Sequence, residues 1–155
     1  MNEIQPCIVV TAAVEHAEDI ARFQVEMAME SEGLALDCEC VRQGVKAVFA
    51  DQAKGRYVVA LCDGKVVGCL MITREWSDWR SAWYWWIQSV YVLPSYRGRG
   101  IYRAMYRYVL AQAQSEGVSQ VRLYVDRENT TSQTVYQKLG MAECHYLLYE
   151  SQVEE

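Results

Sequence analysis

The passage that most restricts the fold of this chain starts at Ala82. From there to Leu93 the residues AWYWWIQSVYVL form an almost unbroken apolar and aromatic run, closed by Pro94 and followed by Gly98 and Gly100. A run this apolar on both of its alternating sides suits a strand covered on both faces, and so a central one. Proline cannot continue the ladder. Beyond the glycines, Ile101, Met105 and Tyr108 recur at i, i+4 and i+7. That spacing predicts a helix to about Glu116, stopped by Gly117.

The remaining elements are arranged around this strand, turn and helix. Cys7 to Ala13 reads as a first strand. Ile20, Phe23 and Met27 mark a helix ending near Gly33, and Val41, Val45 and Val48 mark a second from about Asp37, a plausible N-cap, to Ala50. Arg56 to Cys62 and Val66 to Thr73 are strands joined by the two-residue turn Asp63-Gly64. Arg74 to Ser81 is expected to be a polar, tryptophan-bearing loop. Val121 to Val125 is a further strand, Thr131 to Leu139 a short helix stopped by Gly140, and Glu143 to Tyr149 a last strand. The order β-α-α-β-β-β-α-β-α-β gives an α/β fold, a mixed sheet with helices on both faces, in one domain over residues 1–155.

The segment from Tyr96 to Arg103 is suited to phosphate. Gly98 and Gly100 let the backbone approach closely and adopt positive φ. The unpaired amides of the helix's first turn, around Ile101, Tyr102 and Arg103, point at the ligand, and the helix dipole favours negative charge there. Arg97, Arg99 and Arg103 add charge-assisted bonds. A solvated turn carrying arginines is the plain alternative, and its place before a helix counts against it. A dinucleotide fingerprint needs a third glycine where Arg103 stands, and a P-loop needs Gly-Lys-Ser/Thr at the helix entry.

Composition excludes other classes. The net charge of −5 disfavours nucleic acid and anionic membrane as general partners. No apolar stretch is long enough to span a bilayer, and MNEIQPC lacks the basic and apolar regions of a secretory signal, so a cytoplasmic protein is expected. The six cysteines, Cys7, Cys38, Cys40, Cys62, Cys69 and Cys144, lack zinc-knuckle spacing. Reduced thiols and no metal site are expected.

The run Val90-Tyr91-Val92-Leu93-Pro94-Ser95-Tyr96-Arg97-Gly98-Arg99-Gly100-Ile101 resembles the strand-and-loop motif of the GNAT superfamily of N-acetyltransferases, R/Q-x-x-G-x-G/A. Arg97 and Gly100 match it, and Tyr102 stands where a small residue is usual. Asn129, Ser132, Tyr136 and Leu139-Gly140-Met141 resemble the second half of the signature, N-x-x-A-x-x-x-Y-x-x-x-G-F. The order of elements resembles that fold over nearly the whole chain. The resemblance implies a central sheet of six to seven strands flanked by about four helices, with two parallel strands splayed around acetyl-CoA.

By the same resemblance the loop amides hold the CoA pyrophosphate, and the pantetheine lies between Ala82–Leu93 and Val121–Val125. There it pairs with the backbone of Val90, Tyr91 and Val92, one of whose amides polarises the acetyl carbonyl. Tyr136 is the match to the general acid that protonates the departing thiolate. Helix packing is its other reading. Asn129 binds the cofactor, caps the following helix, or both; Ser132 belongs with it on the cofactor side. Gln88 stands where many relatives carry a glutamate base. Glutamine positions a water but takes no proton, so no base is identified.

On the acceptor side, Glu26 and Glu30 share a helix face, with Glu32 beyond, and suit a cationic amine or an ordinary solvated face. Glu75 and Trp76, with Asp78, Trp79 and Arg80, combine carboxylates with aromatic faces. They suit a cationic acceptor, or else the tryptophans cover the sheet edge or form a homodimer contact. The leading expectation is acetyl transfer to a primary amine of a small molecule. A CoA-binding module without catalysis and a protein N-terminal or lysine acetyltransferase are the alternatives.

Overall fold

Runs rich in β-branched and aromatic residues build the sheet seen in the computed structural model, which describes residues 6–154. Ile8–Thr11 (β1), Arg56–Cys62 (β2), Lys65–Ser77 (β3), Ala82–Val92 (β4) and Gln120–Arg122 (β5) lie in the order β1-β2-β3-β4-β5. All neighbours are antiparallel except β4 and β5, which run parallel. The α-helices are Ala17–Glu32 (α1), Cys38–Ala50 (α2), Ile101–Ser115 (α3) and Thr130–Lys138 (α4). The chain divides into two compact units, Met1–Tyr124 and Val125–Glu155.

Strand alternation sorts the first unit into two layers. Tyr57, Val59, Cys69 and Tyr91 turn to one face, where they join Ile20 and Phe23 of α1 and Val45 and Val48 of α2 in one core. Side chains of the opposite parity meet α3. Gly68 shows how closely: a Cβ there would lie 3.3 Å from Ile101 Cγ2 and from Met105 Cε, and 3.2 Å from the Tyr91 carbonyl oxygen. A bare glycine in the strand therefore lets the first turn of α3 sit tight on the sheet. The Tyr108 hydroxyl ties the same helix to β1, accepting from the Thr11 amide at 3.0 Å and lying 2.8 Å from Thr11 Oγ1.

Several expectations need correction. The sheet has five strands among the described residues, not six to seven. Glu143 to Tyr149 forms no strand: its side chains are exposed, and an alternating pattern alone supplies no neighbour to complete a ladder. Arg74 to Ser77 is not loop but the end of β3, because Glu75, Trp76 and Ser77 pair with Tyr84, Trp83 and Ala82. The turn shrinks to residues 78–81, with Ser81 at φ 49°. β5 spans three residues instead of five. Cys7 and Cys62 are joined as a disulfide. With Ile8 paired to Leu61, they fall opposite each other with Cα atoms 4.3 Å apart, the approach of a non-hydrogen-bonded cross-strand pair. Cys38, Cys40, Cys69 and Cys144 are free thiols.

Candidate active site

β4 carries the irregularity on which the site depends. Its pairing with β3 slips between Cys69 and Met71, and Ser89 takes φ 53°, so an extra residue bulges out of β4. Pairing with β5 covers only Tyr84–Gln120, Trp85–Val121 and Trp86–Arg122. Beyond Trp86 the β5-facing side of β4 has no partner strand among the described residues. Leu93 donates to the Val67 carbonyl at 2.9 Å, and the alternation of an antiparallel ladder then turns the Val92 carbonyl toward this open side. The parallel pair that the resemblance implies is present for three residues, and past it Val90 and Val92 turn their backbone groups to the open side.

Pro94–Tyr96 forms a single turn of 3₁₀ helix after β4, and two left-handed glycines then lead into α3, Gly98 at φ 74° and Gly100 at φ 78°. Gly100 is the N-cap of α3 and has no side chain to satisfy the amides of the first turn. The first amides of an α-helix point out of its N-terminus, where an anionic ligand can meet them. The Arg99 guanidinium sits over the Tyr96 ring at 5.2 Å, at the same end of the helix. The donor set, amides at a helix N-terminus with arginines beside them, fits a pyrophosphate. Tyr102 is half-buried, and its ring lies 6.3 Å from that of Tyr106 on its own helix, so it packs within α3.

Arg97 is placed differently from its neighbours. Its Nε donates to the Val92 carbonyl at 2.9 Å, and its two terminal nitrogens fork onto Glu30 of α1, Nη2 to Oε2 at 2.9 Å. One turn earlier on α1, Glu26 accepts from the Tyr91 hydroxyl at 3.2 Å. The two carboxylates expected to face an acceptor are thus bound to β4 and the loop before α3. Arg97 holds the Glu30 carboxyl below the usual carboxylate range, with burial opposing. A carboxyl whose folded value is lowered adds stability above its unfolded value, about 4.3, and that stability is lost as pH falls through the folded value. The acid limb of a Tm-against-pH curve should accordingly be shallower for Glu30→Gln than for the wild type.

Thr73 and Glu75 on β3, Tyr84, Trp86 and Gln88 on β4, and Arg122 on β5 form a polar and aromatic patch. Gln88 Nε2 donates to Thr73 Oγ1 at 2.7 Å. Glu75 accepts from the Trp86 indole at 3.1 Å and pairs with Arg122 at 3.6 Å. Arg122 lies over Tyr84 at 4.3 Å and over Trp86 at 5.9 Å. Trp76 has the opposite parity and packs edge-on against Trp83 with centroids 5.0 Å apart, away from this patch. Sequence reasoning missed Thr73, Tyr84, Trp86 and Arg122. The period-two alternation of β3 and β4 was the available signal.

In the second unit, Asn129 caps α4, accepting from the Ser132 amide at 3.0 Å. Ser132 and Tyr136 lie four apart on that helix, on one face. Burial raises the Tyr136 phenol above its ordinary value, and the Ser132 hydroxyl opposes this. Tyr136 therefore stays protonated at neutral pH. Among the described residues no group of His, Cys, Asp or Glu is placed to hold a metal, and no helix is long and apolar enough to cross a membrane.

Comparison with known proteins agrees with this architecture. Residues 29–141 match the acetyltransferase (GNAT) family. A possible acetyltransferase from Clostridium difficile 630 is 39% identical, with a TM-score of 0.90 over 96% of this chain and 99% of that one. A mycothiol acetyltransferase of Corynebacterium glutamicum (strain R) is 33% identical over 111 residues; the match takes in 68% of this chain but only 35% of that protein's length. An aminoglycoside N-acetyltransferase in complex with CoA shares the fold, with a TM-score of 0.79 at 17% identity over 98% of each chain. A bulged strand β4, a short parallel pair and a glycine-capped helix are all present in a chain that matches the family model along most of its length. The chain belongs to the GNAT family of acetyltransferases.

Proposed function

We propose that the protein transfers the acetyl group of acetyl-CoA to a primary amine of a small molecule, by direct attack in a ternary complex. The observation that carries this reading is the open side of β4 beyond Trp86, continuous with the glycine-capped N-terminus of α3. An extended amide-bearing chain ending in a pyrophosphate matches that pair of features. The amides at the start of α3, with the Arg99 and Arg103 side chains, take the pyrophosphate. The backbone of Val90 and the Val92 amide, on the open side of β4, pair with the pantetheine. Support also comes from relatives whose names place mycothiol and aminoglycosides among GNAT products or substrates.

The amine nitrogen attacks the thioester carbonyl, the C–N bond forms as the C–S bond breaks, and the thiolate takes a proton from the Tyr136 phenol. A water held by Gln88 and Thr73 accepts the proton lost by the amine. The acceptor rests against Tyr84, Trp86 and the Glu75–Arg122 pair. That pair leaves the patch close to electrically neutral, which favours an amine with polar substituents over a polycation. The reading requires neither nucleic acid nor membrane.

Thermal unfolding with acetyl-CoA tests the donor half. At a hundredfold excess over Kd, binding to the folded state adds about 2.7 kcal/mol, a rise in Tm of several degrees. No shift at saturating ligand would sink the proposal. If acetyl-CoA binds but no member of an amine panel accelerates thiol release, the non-catalytic CoA-binding module takes its place.

A further inference from the structure

The motif assigns Arg97 to the phosphate, yet its guanidinium is engaged elsewhere. One nitrogen holds the Val92 carbonyl at 2.9 Å, the other two fork onto Glu30, and the guanidinium carbon lies 5.4 Å above the Tyr91 ring. From the loop before α3, Arg97 thus joins two other segments, the end of β4 and the last turns of α1. A fork of this shape fixes both distance and plane, so Glu30 orients Arg97 and Arg97 orients the loop. The Tyr91 hydroxyl on Glu26 and the Tyr91 ring 5.2 Å from Phe23 anchor the same stretch of β4 to α1.

We infer that Glu30 is a positioning residue for the donor site, and that Arg97 serves that site through the Val92 carbonyl and the loop backbone rather than as a phosphate ligand. Glu30 thereby sets, from the helix opposite, how well the loop amides are arranged for a pyrophosphate. Two consequences separate this from a direct role. If Arg97 bound phosphate, Glu30 would compete with the ligand, and its removal would tighten donor binding. If Arg97 acts through geometry, removing Glu30 loosens the loop and weakens binding. Likewise a lysine at position 97 keeps the charge but cannot fork onto a carboxylate while holding a carbonyl.

The inference rests on acetyl-CoA being the donor, and the test separates the two. Acetyl-CoA affinity is measured by titration calorimetry for the wild type, Glu30→Gln, Arg97→Lys and the double variant, with unfolding curves to confirm folding. KM and kcat are then read with whichever amine the wild type acetylates. Both single variants are expected to weaken acetyl-CoA about fivefold, the upper end for a solvent-accessible ion pair. Each should raise its KM alike while kcat at saturating donor stays within about twofold, since the pair touches no reacting atom. The double variant should be no weaker than either single one, because both remove one interaction. Wild-type affinity in Arg97→Lys, or tighter binding in Glu30→Gln, overturns the inference and leaves the donor assignment standing. Absence of acetyl-CoA binding by the wild type overturns both.

Discussion

Tyr136→Phe is expected to lower kcat for acetyl transfer by about 10²-fold, the smaller end of what a positioned proton donor contributes, while acetyl-CoA affinity stays unchanged. A thiolate leaving a thioester is stabilised by the proton it gains, and a phenol raised above its ordinary value by burial remains a donor throughout the neutral range. Phenylalanine keeps the ring and its packing in α4 and removes only the hydroxyl. The check is steady-state kinetics with varied acetyl-CoA, alongside calorimetry for binding. A variant with wild-type kcat would assign Tyr136 to helix packing alone. A leaving group with a lower pKa than CoA should also suffer less from the substitution, since it needs the proton less.

Trp85→Ala carries the largest expected cost in stability, about 3–5 kcal/mol. The indole is 1% exposed, on the α3 face of β4. The Arg56 guanidinium lies 4.6 Å from its ring and is itself paired with Glu116 at 2.9 Å. Truncation opens a cavity in the middle of the sheet and deprives Arg56 of its aromatic face, so packing and cation–π losses add. Chemical denaturation measures the loss. A shift below about 1 kcal/mol would mean that α3 collapses into the space, as happens where a core relaxes freely.

The sequence disclosed different parts of this molecule to different degrees. The central strand, the glycine-led entry to α3 and the Asn129 cap were legible because each is set by local chemistry: burial on both faces, positive φ, and a side chain reaching an orphan amide. The end of β3 was not, since Arg74, Glu75 and Trp76 are polar or bulky and read as loop, yet pairing with β4 holds them extended. The disulfide was invisible for a related reason. Fifty-five residues separate Cys7 from Cys62, and only the β1–β2 register brings them opposite. The role of Arg97 is likewise a long-range fact, because a motif specifies a residue type at a spacing but not its partner on another helix. Gly68 was readable in principle, as a glycine inside a strand signals close approach of other backbone.

Sheets usually offer their unpaired groups at the outermost strands, where any passing chain can add itself. Here β4, the fourth strand of five, also offers them, because β5 ends after three residue pairs. An extended chain that carries amides of its own can pair there as an added strand would. On the function proposed above, recognition of the donor rests on backbone groups before any side chain takes part. The side chains of the neighbouring patch are then free to change with the acceptor, so that one fold can serve many amines while its choice of donor stays fixed.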